Sequence, residues 1–175
     1  MGSEQLTVAV IGAGGKMGMR VAANLDRSQH EVLYSETSPA GQERVRGEGR
    51  QITDTEDAVR QSDVVILAVP DVVLGDVSNS VVPQMKTGAI LLTLDPAAAY
   101  AGLLAKREDV FFACAHPCHP SVFLERTSKE EWADTFGGIA APQDAVAALE
   151  AGGDDVRKTK VLFGSSMPRS LMSTG

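Results

Sequence analysis

The chain has 175 residues, 43% hydrophobic and 22% charged, the balance of a globular domain with material for a sizeable core and not of a disordered chain. Lys and Arg number 16 against 23 Asp and Glu, a net charge of −7. That argues against a nucleic acid or an anionic membrane surface as partner, but leaves an anionic small ligand open because a local pocket can oppose the global charge. No apolar run approaches the roughly 20 residues of a membrane helix, no secretory signal opens the chain, and the two cysteines, Cys114 and Cys118, suggest no disulfide framework. The expected location is cytoplasmic.

In chain order, short β-rich apolar runs alternate with helical spacings. Leu6 to Ile11 is the first strand; Lys16 to Leu25 follows, with Met17, Val21, Ala22 and Leu25 at helical intervals. His30 is expected at the surface, just before a second strand from Glu31 to Ser35. Ser38-Pro39 opens a second helix, kept short or irregular by Gly41, Gly47 and Gly49. Gln51 to Thr53 is a weak third strand, and Thr55 to Arg60 a short helix capped by Asp54 or Thr55. Asp63 to Val69 is continuously apolar, as in a strand buried on both faces. Asp71 to Met85 is helical by period, Ala89 to Leu94 a buried strand, Ala97 to Lys106 an alanine-rich helix, and Val110 to Ala115 another buried strand. Residues 121–138 read as a polar loop with a helical turn around Glu130 to Ala133; Gly138 to Ala141 is one more strand and Gln143 to Glu150 one more helix. Phe111, Phe112 and Trp132 read as core or packing groups rather than cofactor stackers. This alternation predicts a Rossmann-type, doubly wound α/β fold, its mainly parallel sheet carrying helices on both faces. Composition changes after Gly152, so residues 1–152 are expected to form the domain and 153–175 a tail or the truncated start of a second one.

The turn between the first strand and first helix reads Gly12-Ala13-Gly14-Gly15-Lys16-Met17-Gly18. A dinucleotide loop needs glycine for a tight turn, for backbone approach to the pyrophosphate, and for packing of helix on strand; the helix N-terminus then offers N–H groups to the phosphates. Met17 stands where the strict G-x-G-x-x-G has its third glycine, so the sequence instead fits G-x-G-x-x-x-G, or G-x-x-G-x-x-G counted from Gly12, Gly15 and Gly18. Gly12, Gly14, Gly15, Lys16, Met17 and Gly18 are the candidate pyrophosphate binders. Glu36, 18 residues after Gly18, stands where a carboxylate accepts the adenosine ribose hydroxyls and repels a 2′-phosphate. NAD is therefore the expected cofactor; NADP stays open because Thr37, Ser38, Arg44 and Arg46 are close enough in sequence to serve a 2′-phosphate.

Ligands bind beyond the carboxyl ends of the strands in such sheets. Ala68-Val69-Pro70 ends one buried strand there, either covering the cofactor or simply terminating the strand. Cys114-Ala115-His116-Pro117-Cys118-His119-Pro120-Ser121 ends another, with two of the chain's three histidines. Oxidation of a hydroxyl by a nicotinamide needs a group that takes the hydroxyl proton, and imidazole titrates in the right range. His116 is the first candidate, as proton carrier or substrate-orienting donor, with His119 and Ser121 behind it; a loop-capping histidine is the competing reading. The Cys/His spacing does not match a zinc site, and no metal is expected. Asp95, at the end of a third strand, reads as a substrate contact or a helix cap.

The segments Val8 to Gly18, Asp63 to Asp71, Leu94 to Gly102 and Ala115 to Pro120 resemble the NAD(P)-binding domain of the 6-phosphogluconate, β-hydroxyacid and prephenate dehydrogenase superfamily, closest to bacterial phosphogluconate-dehydrogenase-like oxidoreductases. The resemblance covers roughly residues 6 to 150 and implies an NAD(P)-dependent oxidoreductase acting on a small hydroxy acid or sugar acid, with a substrate role for His116. Members of that superfamily usually carry a second, all-helical domain that completes the site and usually builds a dimer, so a homo-oligomer is an open expectation. Two other readings stand beside it: a non-catalytic NAD(H)-binding module, and a single-domain enzyme similar to deazaflavin-dependent NADP reductases.

Overall fold

A computed structural model describes residues 5–120, 123, 125–135, 137, 140, 141 and 144–151. Six strands form one sheet: β1 (Thr7–Ile11), β2 (Glu31–Ser35), β3 (Val64–Leu67), β4 (Ile90–Thr93), β5 (Phe111–Pro117) and β6 (Ala145–Ala151), in the order β2-β1-β3-β4-β5-β6. The first five are parallel and β6 pairs antiparallel with β5. The helices are α1 (Lys16–Leu25), α2 (Pro39–Gly47), α3 (Thr55–Gln61), α4 (Asp71–Val81), α5 (Ala97–Tyr100) and α6 (Lys129–Ala133). This is the doubly wound fold that the alternating pattern predicts. Among the described residues, no helix is long and apolar enough to cross a membrane.

The two-residue period of the strands divides the core. Ala9, Ile11, Val65, Leu67, Leu91 and Phe112 belong to a cluster with Ala58, Val59, Leu74, Val81 and Ala98 from α3, α4 and α5. Their neighbours Val8, Val64, Ile66, Ile90 and Leu92 pack with Val21 and Leu25 of α1. Strands β3 and β4 are buried along their whole length, each such Val, Leu or Ile contributing about 1.5–3 kcal/mol. The chain leaves β1 toward β2 on one side and reaches β3 on the other. The crevice beyond the carboxyl ends of β1 and β3 is therefore the switch point of the sheet.

Several elements depart from the sequence reading. The expected helix over Gln143 to Glu150 is strand β6, in register Cys114↔Ala148 and Pro117↔Ala145 with β5. Its alanines favour a helix locally, but the open edge of β5 offers a ladder that only the folded sheet supplies. The helix expected over Ala97 to Lys106 ends at Tyr100, and Gly102 takes a φ of +68°, a left-handed stop. The helix from Asp71 closes at Val81 in a 3₁₀ turn over Val82–Gln84, where Pro83 has no N–H to continue it. Gln51 to Thr53 contributes a single bridge, Ile52 to Tyr34. Of the strand expected over Gly138 to Ala141, residues 138 and 139 lie outside the described ones and Ala140 and Ala141 are not in a strand.

His30 reverses expectation, and Trp132 packs on a neighbouring side chain rather than in the core. His30 is buried at 8% exposure, its Nδ1 accepting the Leu6 N–H at 3.3 Å across the start of β1. Trp132 is 63% exposed, its indole N–H donated to the Arg126 carbonyl and the Arg126 guanidinium lying 5.1 Å above its ring.

Candidate functional site

The site begins where β1 runs into α1. Gly12 turns the chain with a φ of +82°, and its N–H and that of Ala13 donate to the Ser35 carbonyl at the end of β2. The Gly15 N–H closes the turn on the Gly12 carbonyl at 3.0 Å, and the helix starts at Lys16. A Cβ on Gly12 would lie 2.7 Å from the Ala68 carbonyl oxygen, and one on Gly18 only 2.1 Å from the Gly12 oxygen. Gly18 thus performs the close packing that the strict motif assigns one position earlier. The first turn of α1 has neither a side-chain cap nor an acidic residue. Its leading N–H groups lack intrahelical acceptors, and the positive end of the helix is open to an anion.

Glu36 lies on the other side of this loop. Its Oε2 accepts the Gly14 N–H at 3.0 Å; its Oε1 accepts the Ser38 N–H at 2.8 Å and the Ser38 hydroxyl at 3.0 Å. Burial by itself would raise this carboxyl, but the donors from Ser38, Gly14 and Thr37 outweigh it and hold the group below the usual carboxylate range. Ser38 in turn caps α2 by accepting the Gly41 N–H at 3.2 Å. Arg44, one turn further along α2, donates its Nε to the Gly14 carbonyl at 2.8 Å. Both polar groups of the Gly14 peptide are therefore held by residues beyond β2, one of them an ionised carboxylate.

The carboxyl ends of β3, β4 and β5 open onto a cavity of about 490 Å³ beside the first turn of α1. Gly15, Lys16 and Met17 line one side; Ala68, Val69 and Pro70 line another, with His116 and His119 from the segment after β5 and Asp95 after β4. Leu67, Leu74 and Leu94 supply apolar wall. Asp71, also in the lining, was missed by the sequence reading, although its place directly after Pro70 at the ligand edge was the available signal.

His116 Nδ1 lies 3.0 Å from the Leu94 carbonyl oxygen. A carbonyl only accepts, so the neutral tautomer that makes this hydrogen bond has its proton on Nδ1 and its lone pair on Nε2. His119 is held the same way, Nδ1 to the Thr135 carbonyl at 3.0 Å. Thr135 belongs to a segment fastened to α1 through nearly buried Asp134. Its Oδ1 pairs with Arg20 at 2.9 Å and its Oδ2 accepts the Ala140 and Ala141 N–H groups, while Arg20 also reaches the Gly137 carbonyl. Cys114 is buried; Cys118 is half-buried, its N–H donated to the Asp144 carbonyl.

Of the predicted site residues, Gly15, Lys16, Met17, Ala68, Val69, Pro70, His116 and His119 therefore share one cavity. Gly12, Gly14 and Gly18 shape the loop beneath it, and Glu36 sits on the Gly14 side outside the cavity lining. Ser121 lies outside the described residues. Among the described residues there is no cluster of three or more His, Cys, Asp or Glu able to hold a metal ion.

The chain is similar to known proteins in both sequence and fold. Residues 3–131 match the family model of the acetohydroxy acid isomeroreductase NADPH-binding domain, and residues 124–166 match that of the C-terminal part of decarboxylating phosphogluconate dehydrogenase. The chain is 56% identical over 169 residues to a D-apionate oxidoisomerase of Pectobacterium atrosepticum, covering 94% of this chain and 59% of that protein. It is 44% identical over 149 residues to one of Cupriavidus necator, covering 85% and 54%. The chain thus spans a little over half the length of these relatives. A solved structure from Cupriavidus necator, described as a semialdehyde dehydrogenase NAD-binding protein in complex with calcium and NAD, superposes with a TM-score of 0.84 at 40% identity, over 94% of this chain and 61% of that one.

Proposed function

The chain belongs to the family of acetohydroxy acid isomeroreductase NADPH-binding domains, and from that premise we propose that it binds NAD and forms the dinucleotide-binding part of an oxidoreductase of a small sugar acid, of the D-apionate type. The observation that carries this reading is the shared cavity: the first turn of α1 and the His116 ring line the same space.

The residues fit a dinucleotide. The loop has no room for a side chain at Gly12, Gly14 or Gly18, and the leading N–H groups of α1, with Lys16 in the cavity lining, suit a pyrophosphate. Glu36 suits a ribose diol, which donates hydroxyls, and repels a 2′-phosphate. The family is described as NADPH-binding and the Cupriavidus structure as holding NAD; the Glu36 carboxylate favours NAD in this reading. The bound dinucleotide supplies the two-electron acceptor. The protein's part is to hold the substrate in the cavity and take the hydroxyl proton. His116 Nε2 has the free lone pair for that task, or orients the substrate by a hydrogen bond once protonated. His119 is the second candidate and Ser121 the third.

The test is titration with NADH and, separately, NADPH, read by nicotinamide fluorescence. Micromolar NADH binding with NADPH at least about tenfold weaker, about 1.4 kcal/mol, supports the reading. The reverse preference overturns the role given to Glu36, and binding of neither to folded protein overturns the cofactor assignment. NAD reduction dependent on D-apionate then tests the substrate class.

A further inference from the structure

The His116 proton has more than one acceptor facing it. Asp95 follows Leu94 at the end of β4, and its two oxygens are divided between two tasks. Oδ1 accepts the Ala97 N–H at 2.7 Å, at the start of α5. Oδ2 lies 3.7 Å from His116 Nδ1, the nitrogen that already meets the Leu94 carbonyl at 3.0 Å. Pro96, between them, has no N–H to compete for the carboxylate. Asp95 and His116 both line the cavity.

We propose that Asp95 is a positioning residue that, together with the Leu94 carbonyl, confines the neutral His116 proton to Nδ1 and so presents the Nε2 lone pair to the substrate hydroxyl. The proposal deepens the reading of His116 as proton acceptor and rests on it. A neutral imidazole has one N–H, and the tautomer follows from what faces each nitrogen. An Nε2–H tautomer would set the Nδ1 lone pair against a carbonyl oxygen and a carboxylate oxygen, both acceptors only. When the substrate O–H bond breaks, its proton passes to Nε2, the bonding pair stays on oxygen, and the ring becomes a cation beside the Asp95 anion. That contact is longer than a hydrogen bond, and the His116 and Asp95 side chains are 50% and 32% exposed. Solvent screens the pair, so its main effect is the choice of tautomer rather than stability.

The exchange that isolates this role is Asp95→Asn. The amide oxygen keeps the Ala97 N–H, so the start of α5 is preserved, and the amide NH₂ replaces Oδ2 as a donor facing Nδ1. Asp95→Ser is the second variant: it can still cap α5 and leaves no charged group beside the ring. The readout is the ¹⁵N imidazole spectrum of the full chain at a pH where His116 is neutral. The expected result is a single Nδ1–H tautomer in the parent and a mixture in Asp95→Asn. Where an Asp orients a catalytic His, the same exchange lowers turnover about 10⁴-fold through the wrong tautomer; the longer contact here predicts a fall in kcat of at least about tenfold with little change in KM. A parent ring of mixed tautomer, or an Asp95→Asn ring as uniform as the parent, overturns the proposal and leaves Asp95 a helix cap. If Asp95→Asn shifts the tautomer but the parent oxidises no sugar acid, the positioning role stands and the acid–base reading of His116 falls.

Discussion

Replacing Gly18 by alanine tests whether the glycine loop is built by close backbone packing. In α1 as a whole, alanine is the better helix former by about 0.8–1 kcal/mol. At Gly18 that gain is opposed by contact: the new Cβ would lie 2.1 Å from the Gly12 oxygen and 2.8 and 2.9 Å from Ala13 Cα and C. Carbon contacts are at rest near about 3.5–4.0 Å, so the turn must retreat by roughly 1 Å, and its atoms are backbone that no rotamer change can clear. Overpacking of this kind costs about 1–3 kcal/mol, and the retreat pulls the Gly12 and Ala13 N–H groups from the Ser35 carbonyl. The expected net loss is about 1–2 kcal/mol in urea unfolding, with m unchanged, and at least about tenfold weaker NADH binding. Gly47 is the internal control. It ends α2 with nothing within 4 Å of the Cβ position, so Gly47→Ala should be neutral or stabilising by up to about 1 kcal/mol. A Gly18→Ala protein as stable as the parent and equally able to bind NADH would refute the packing argument.

Three further outcomes follow from the geometry. Glu36 has its pKa lowered in the folded state, so its contribution to stability is present above the ordinary carboxylate range and disappears as pH falls through the lower folded value. The stability difference between the parent and Glu36→Gln should stay flat from pH 8 down to about 5 and shrink only in stronger acid, as urea unfolding across that range would show. Asp134→Asn takes the carboxylate from Arg20 at a site where the two side chains are 17% and 5% exposed; a loss of about 3 kcal/mol is expected, measured by the same unfolding, and a loss under about 1 kcal/mol would count against a structural role for the pair. His116→Ala should leave NADH binding intact and lower sugar-acid oxidation by about 10²–10⁴, as separate fluorescence and turnover assays would record.

The fold was legible because its signals are local. Continuous apolar runs such as Val64–Leu67 cannot be exposed on either face, and they alternate with helical spacings that reach only one face of a sheet. The glycine turn was legible for a related reason: a left-handed φ at Gly12 and a helix starting at Lys16 are properties of that short stretch. The Asp54 cap of α3 was equally local, its carboxylate meeting the Glu56 and Asp57 N–H groups. The placement of Ala68 to Pro70 and of His116 at one edge followed from parallel connection, since parallel strands end on the same side.

What the sequence could not decide depends on partners distant along the chain. Ala145–Ala151 is a strand because β5 presents an unpaired edge 28 or more residues away, and helix propensity loses to a row of waiting hydrogen-bond partners. His30 is interior because the start of β1 offers it an N–H. Trp132 is exposed, with the Arg126 guanidinium over its ring. In the site, sequence named Glu36, Asp95 and His116 from their places at strand ends. It could not show that Glu36 is bound to Gly14, or that one oxygen of Asp95 turns to α5 and the other toward the imidazole. Residue identity and short-range periodicity determined the fold and which groups reach the ligand edge. Only the packed sheet, which sets β4 beside β5, decided that Nδ1 of His116 faces the Leu94 carbonyl, because that carbonyl comes from another strand.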